Sequence, residues 1–256
     1  MTAVDCNPAQ LAYLGRRLRG AAPEPGTAER LLALARAALR PAGWSPGLLD
    51  DFCQLDDPEA QVRLWRERLA TPAVRRLADA ALRPALLRLA YRPAFVAVAG
   101  GGLGSTMLDR LEAGFARHPN RANPWASLLL RGRWGPASTL AGDGVAPDGP
   151  RVPGGAAGRV ELRAGDLAAV LEAARPGCYH GFALSNVLDG PDAAYRERLL
   201  AAVRRAAAPG AVLVLRTLAR AARQDETDLA RADRSLIWGA IAVLPAQEAR
   251  WDPPTA

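Results

Sequence analysis

Beyond residue 158 the chain alternates short apolar runs with helical patterns, and this rhythm constrains the fold more than any other feature. Arg159-Val160-Glu161-Leu162-Arg163 reads as a short strand, closed by a Gly165-Asp166 turn. Leu167 to Ala174 keeps a helical pattern. Gly181 to Leu184 reads as a second strand, ending at Ser185-Asn186. Pro191 to Ala208 is a helix with Leu199, Leu200 and Val203 on its apolar face, and Pro209-Gly210 turns the chain. Ala211 to Leu215 is uninterrupted apolar sequence, the pattern of a strand buried on both faces. The apolar run from Leu236 to Leu244 adds an edge or antiparallel strand. Strands alternating with helices build βαβ units and a mostly parallel sheet, so the fold class expected is α/β.

The opening residues fit the same scheme. Thr2-Ala3-Val4-Asp5 reads as the end of a buried strand that finishes on an acid. Asn7 is a good N-cap, Pro8 suits the first helical position, and Gly20 suits the stop. From Thr27 to about Arg131 the pattern is almost wholly helical. Asp57-Pro58, Thr71-Pro72 and Asn123-Pro124 each pair a capping residue with a proline, and Ser105 is placed to cap a further helix. Glycines and prolines then crowd the stretch up to residue 158, as in a loop. The division expected is 1–20 as the start of a nucleotide-binding domain and 21–132 as a large helical insertion. Residues 133–158 then form a Gly/Pro-rich loop, and 159–256 complete the first domain.

Composition narrows the class. The chain has 256 residues, 50% hydrophobic and 23% charged, enough to bury a sizeable core. No apolar stretch approaches the roughly 18 residues of a membrane span. The first 20 residues carry Asp5, Arg16, Arg17 and Arg19 without an apolar run, which argues against a secretory signal. Cys6, Cys53 and Cys178 are too far apart for a disulfide framework or a zinc site. All 33 basic residues are arginine, and the formal charge is +7. That balance favours polyanions or an anionic membrane surface as neighbours.

In open α/β sheets ligands sit beyond the carboxyl ends of the strands. Asp5, Asp166 and Ser185-Asn186 stand at three such ends. An acid there can accept from both hydroxyls of a ribose, and one in the Gly165-Asp166 turn can reach an adenine amino group. Asp166 is equally suited to capping the helix that follows it. A separate stretch, Phe95 to Ala99 followed by Gly100, Gly102 and Gly104, has the form of a nucleotide-binding loop. No acid closes a second strand about 20 residues further on, as the full fingerprint requires.

Val4-Asp5-Cys6-Asn7-Pro8-Ala9-Gln10-Leu11 resembles a signature of the S-adenosylmethionine:diacylglycerol 3-amino-3-carboxypropyl transferases of betaine-lipid synthesis. Other segments are similar to that family in the same order. They are Asn123-Pro124-Trp125 with Leu128 to Trp134, Gly165-Asp166-Leu167, Phe182 to Leu188, Ala211 to Leu218, and Asp233-Arg234-Ser235 before Trp238-Gly239. The resemblance implies a class I methyltransferase-like, mostly parallel sheet with a large helical insertion. The family carries an earlier strand and a Gly-rich loop ahead of the block around Asp5. Here Asp5 lies four residues from Met1, so that first strand and loop are expected to be missing, as in an N-terminally truncated member.

The reaction implied moves the 3-amino-3-carboxypropyl group of S-adenosylmethionine to the free hydroxyl of diacylglycerol, releasing methylthioadenosine. Asp5, Asn7, Gln10, Asp166 and Ser185 are then the residues for the adenosyl co-substrate. Ser185 and Asn186 lie near the reacting groups, Asp189 is a candidate general base, and Asp233 and Arg234 are candidates for the amino-carboxylate end. No metal and no nucleic acid are implied. The location implied is cytoplasmic, peripheral at the inner membrane face. A methyltransferase on the same fold, and an inactive relative that binds a membrane or a partner, remain open at this point.

Overall fold

Prolines that follow capping residues set the helical half of the molecule. The computed structural model describes residues 1–88, 102–135, 145–146, 149–150, 156–219 and 223–250. A first strand, β1 (Thr2–Asp5), leads into α1 (Pro8–Leu18), and α2 (Thr27–Leu39) follows. Next come α3 (Pro46–Cys53), α4 (Pro58–Leu64), α5 (Pro72–Ala81) and α6 (Pro84–Leu87). After them come α7 (Leu103–Phe115) and α8 (Pro124–Arg131). The caps at Asn7, Ser45, Asp57, Thr71 and Asn123 each accept a main-chain N–H from the first turn, and a proline stands next to each. This satisfies donors that a helix start otherwise leaves unpaired.

Ser105 does not cap its helix. Gly102, in the left-handed region at φ 76°, precedes α7 instead. The Ser105 amide and hydroxyl both donate to Asp79, at 2.7 and 2.6 Å. Gly104 meets α5 so closely that a Cβ there would lie 2.2 Å from the Ala78 carbonyl carbon. The glycine at 104 thus serves helix packing. The apolar run at 95–99 and Gly100 lie outside the described residues.

The helices close on an aromatic knot. Trp65, Phe52 and Phe115 are fully buried, with Phe115 set 4.9 Å from each of the other two rings in edge contact. Trp44 packs 6.1 Å from Trp65 and donates its indole N–H to the Leu69 carbonyl. Burying side chains of this size stabilises by about 1.5–3 kcal/mol each. Gln61, also fully buried, bridges the knot. Its Nε2 donates to the Phe115 and His118 carbonyls, and its Oε1 accepts from the Asn120 amide.

The second half is mixed α/β. Two short strands, β2 (Val145–Ala146) and β3 (Gly149–Pro150), form a small antiparallel pair within the expected loop. Then follow β4 (Glu161–Ala164), α9 (Leu167–Ala173), β5 (Tyr179–Ser185), α10 (Ala193–Ala206) and β6 (Ala207–Thr217). The chain continues through α11 (Gln224–Ala232), which the sequence reading leaves unassigned, to β7 (Ala240–Pro245). β1 pairs with β4 in parallel, while β5 pairs with β6 in parallel and β6 with β7 antiparallel. Among the described residues the strands form three small sheets.

The helices of the two parallel units run the same way. Tyr195, near the start of α10, bonds Asp166 at the start of α9. Arg205, near the end of α10, bonds the Leu171 and Ala174 carbonyls at the end of α9. Helices α9 and α10 therefore run side by side in the same direction. Asp5 pairs with Ala164 at the ends of β1 and β4, and Ser185 with Arg216 near the ends of β5 and β6.

The expectation of a strand buried on both faces fails at Ala211–Leu215. Leu213 is fully buried beneath α10, but Val212 is 45% exposed. Residues alternate faces along a strand, and only one face of this sheet is covered. Ala183, Val214 and Val243 stand in register on the open face, with Val243 54% exposed.

Candidate functional site

The carboxyl edge of the parallel strands gathers the acids. The Gly165 amide donates to the Asp5 carbonyl at 3.1 Å, which sets the Gly165-Asp166 turn beside the end of β1. Asp5 is half-buried, and its Oδ1 accepts the Asn7 amide at 2.7 Å. Among the described residues its Oδ2 has no partner. It is an acceptor left open at a strand end.

Asn7 and Gln10 do not join it with their side chains. Asn7 caps α1 through the Ala9 amide, and Gln10 is exposed. Both line a separate cleft of about 340 Å³ with Tyr13, Arg16 and Glu29, between α1 and the start of α2.

Asp166 is saturated by its own protein. Its carboxylate accepts the Ala168 and Ala169 amides at 3.3 and 3.2 Å and an Arg198 N–H at 3.0 Å. The Tyr195 hydroxyl also donates to it. Burial pushes this carboxyl up, but the Tyr195 hydroxyl, the two amides and Arg198 hold it below the usual aspartate range. The same contact, after burial, helps push the Tyr195 phenol up to about 12. The capping role available to Asp166 from sequence is the one its geometry fills. Tyr195 and Arg198 were not singled out in the sequence. Their offset of three places both on the face of α10 that meets α9.

Ser185 ends β5, half-buried, and Asn186 follows in the left-handed region at φ 50°. Asparagine tolerates that conformation better than most residues. Its amide donates to the Arg216 carbonyl at 2.8 Å, tying this turn to β6. Asp189 is buried. One of its oxygens accepts the Thr217 hydroxyl and the other the Leu218 amide at 2.8 Å. It braces the 185–189 turn against the end of β6, with both oxygens occupied.

Between β1 and β5 lies a cavity of about 580 Å³. Val4, Val170, Phe182 and Leu184 give it apolar walls. Among the described residues β1 pairs only with β4, and β5 with β6. Asp5 and Ser185 directly follow the lining residues Val4 and Leu184 at the ends of their strands.

Compared with known protein families, characterised proteins and solved structures, the chain matches none. The local geometry must therefore carry the functional reading. Among the described residues no group of three or more His, Cys, Asp or Glu is placed to hold a metal, and no helix is long and apolar enough to cross a membrane.

Two motifs far apart in sequence also meet. Asn123 Nδ2 donates to the Arg234 carbonyl at 3.0 Å, and Arg234 Nη2 donates to the Ala122 carbonyl at 2.6 Å. The Ser235 amide and hydroxyl donate to Asp233. Leu236 follows at φ 67°, strained for a leucine, with its side chain buried against Gly114. This segment clamps the helical half to the α/β half. Its main-chain bonds commit Arg234 to that clamp.

Proposed function

We propose that the chain is an aminocarboxypropyl transferase of the S-adenosylmethionine-dependent, class I methyltransferase-like kind, with diacylglycerol as acceptor. The observation that carries the reading is Asp5. It stands at the end of a parallel strand, beside the Gly165 turn, with one carboxylate oxygen open. A ribose hydroxyl needs such a partner: an open acceptor at the carboxyl end of a parallel strand. Asp5 fits the sugar. Asp166, saturated by four donors, supports the edge by fixing α9 rather than by reaching a base.

S-adenosylmethionine supplies an activated sulfonium. In the transfer, a bond forms between the acceptor oxygen and the γ-carbon of the methionine moiety. The carbon–sulfur bond breaks, methylthioadenosine leaves, and the hydroxyl proton passes to a base. All three carbons on the sulfur are activated, so placement selects the one that reacts. Ser185 and Asn186, at the end of the neighbouring strand, are the polar groups placed to orient the reacting end.

A diacylglycerol acceptor puts the work at a bilayer surface, on the cytoplasmic side in this reading. Leu34 of α2, Leu77 of α5 and Leu86 of α6 are 67%, 44% and 40% exposed. Exposed leucines beside the arginines of α2 and α5 suit an anionic membrane surface. A second reading, a relative without turnover that binds a membrane or partner, is favoured by the divided sheet and its open face.

The test is product analysis after incubation with S-adenosylmethionine and diacylglycerol in mixed vesicles. Methylthioadenosine is the expected product. Adenosylhomocysteine would replace this reading with methyl transfer, and vesicle binding without either product would favour the second reading.

A further inference from the structure

Away from the strand ends, a cleft of about 350 Å³ opens between the end of α2, the start of α3 and the end of α8. Arg36, Arg40, Arg131 and Arg133 line it, and Asp50 is the only carboxylate among its lining residues. Four guanidiniums and one carboxylate leave a net charge of +3 in one concave space.

The acid is already shared. Asp50 Oδ1 lies 2.7 Å from Arg131 Nε and 3.0 Å from Arg133 Nη2. The Arg131 Nε–H is out of line for a hydrogen bond to that oxygen, so its contact is an ion pair only. Among the described residues Arg36 and Arg40 have no carboxylate partner. Arg36 is held by one carbonyl, that of Leu129 at 3.0 Å, at the C-terminal end of α8. Gly132 makes room for it: a Cβ there would stand 2.4 Å from Arg36 Nη2. Burial lowers the Arg36 pKa, as expected of a cation partly removed from water without a counter-charge. Trp44 and Leu130, both buried, form an apolar wall behind the charges.

We propose that this cleft binds a phosphate group. A concave site of one sign with an apolar wall concentrates the field on an incoming anion. Guanidinium forks match phosphate oxygens in pairs, and charge-assisted bonds of this kind are the strong ones. The feature that points to a ligand is that half-buried Arg36 and exposed Arg40, neither with a carboxylate partner among the described residues, line one cavity with Arg131 and Arg133. The inference is independent of the strand-edge reading. The phosphate has two sources, a lipid headgroup or a soluble phosphate compound.

The experiment titrates the full chain with inorganic phosphate by calorimetry at low salt. In parallel, it measures flotation with phosphatidylglycerol vesicles against phosphatidylcholine vesicles. Arg36→Gln with Arg40→Gln is compared with Arg30→Gln plus Arg76→Gln, an equal charge loss at exposed positions outside the cleft. The cleft pair is expected to weaken phosphate binding by about tenfold or more, and the control pair by less than about twofold. A matching loss of phosphatidylglycerol flotation assigns the headgroup as source, and unchanged flotation assigns a soluble phosphate. Equal losses in the two pairs overturn the site, as does absence of both phosphate binding and phosphatidylglycerol preference in the unsubstituted chain. Near-ultraviolet circular dichroism monitors the aromatic knot. Should the cleft pair unfold, Arg133→Gln, on an exposed side chain, repeats the comparison with about a threefold expected loss.

Discussion

The helical half and the α/β half bury their apolar residues differently. Trp65, Phe52 and Phe115 are wholly buried, and Gln61 pairs with main-chain groups beside them. In the sheet of β5, β6 and β7, Leu213 is fully buried while its neighbour Val212 is 45% exposed. The first region is closed on itself. The second keeps an exposed apolar face and a cavity lined by β1 and β5. A self-contained core serves as a scaffold, whereas an apolar surface left uncovered beside a row of strand ends is where a ligand or partner gains most.

The largest expected effect tests the closed half. Phe115→Ala removes a ring in contact with two others and should cost about 3–5 kcal/mol, read by chemical denaturation with loss of the near-ultraviolet signal. The α/β half gives a sharper internal control. Leu213→Ala should cost about 2–5 kcal/mol and Val212→Ala less than about 0.5 kcal/mol, by the same denaturation. Equal costs at these adjacent positions would break the comparison, because they would mean that both faces are covered. Gln61→Leu leaves the Phe115 carbonyl and the Asn120 amide unpaired and should cost about 1–3 kcal/mol in midpoint shifts.

The smallest effect is the pH dependence that the Asp166–Tyr195 contact gives the α/β half. The Tyr195 phenol is raised to about 12 in the folded state from an ordinary 10.0, so folding holds its proton more tightly. Its contribution is fully present below about pH 10 and is lost as the pH rises through about 12. Asp166 works in the opposite sense. Its lowered folded pKa adds stability above the ordinary aspartate range that is lost on acidification. Tyr195→Phe should flatten the alkaline limb of stability against pH, followed by circular dichroism, and leave the aromatic knot untouched.

Much of the fold was legible in the sequence because its cues are local. Asn7-Pro8, Asp57-Pro58, Thr71-Pro72 and Asn123-Pro124 mark helix starts through bonds that span two or three residues. The parallel strands followed from their rhythm. What the sequence did not carry was the number of covered faces. The run Ala-Val-Leu-Val-Leu at 211–215 is the same whether a sheet is covered once or twice, and only tertiary packing decides. Helix α11 escaped notice because it is polar on most sides, with acids in its first turn and few apolar positions. At the site, the strand-end positions of Asp5, Asp166 and Ser185 could be read from pattern alone. The occupation of Asp166 by Tyr195 and Arg198 could not, since those contacts span 29 and 32 residues. The same holds for the Asp189 brace and the Asn123–Arg234 clamp.

The account rests on the open carboxylate of Asp5 as the grip on an adenosyl ribose. Calorimetric titration of S-adenosylmethionine into the unsubstituted chain and into Asp5→Ala tests it directly. The expected result is saturable binding that falls by about tenfold or more in the variant, the loss of charge-assisted hydrogen bonds. Binding of equal strength in the two proteins, or none in the unsubstituted chain, would contradict it.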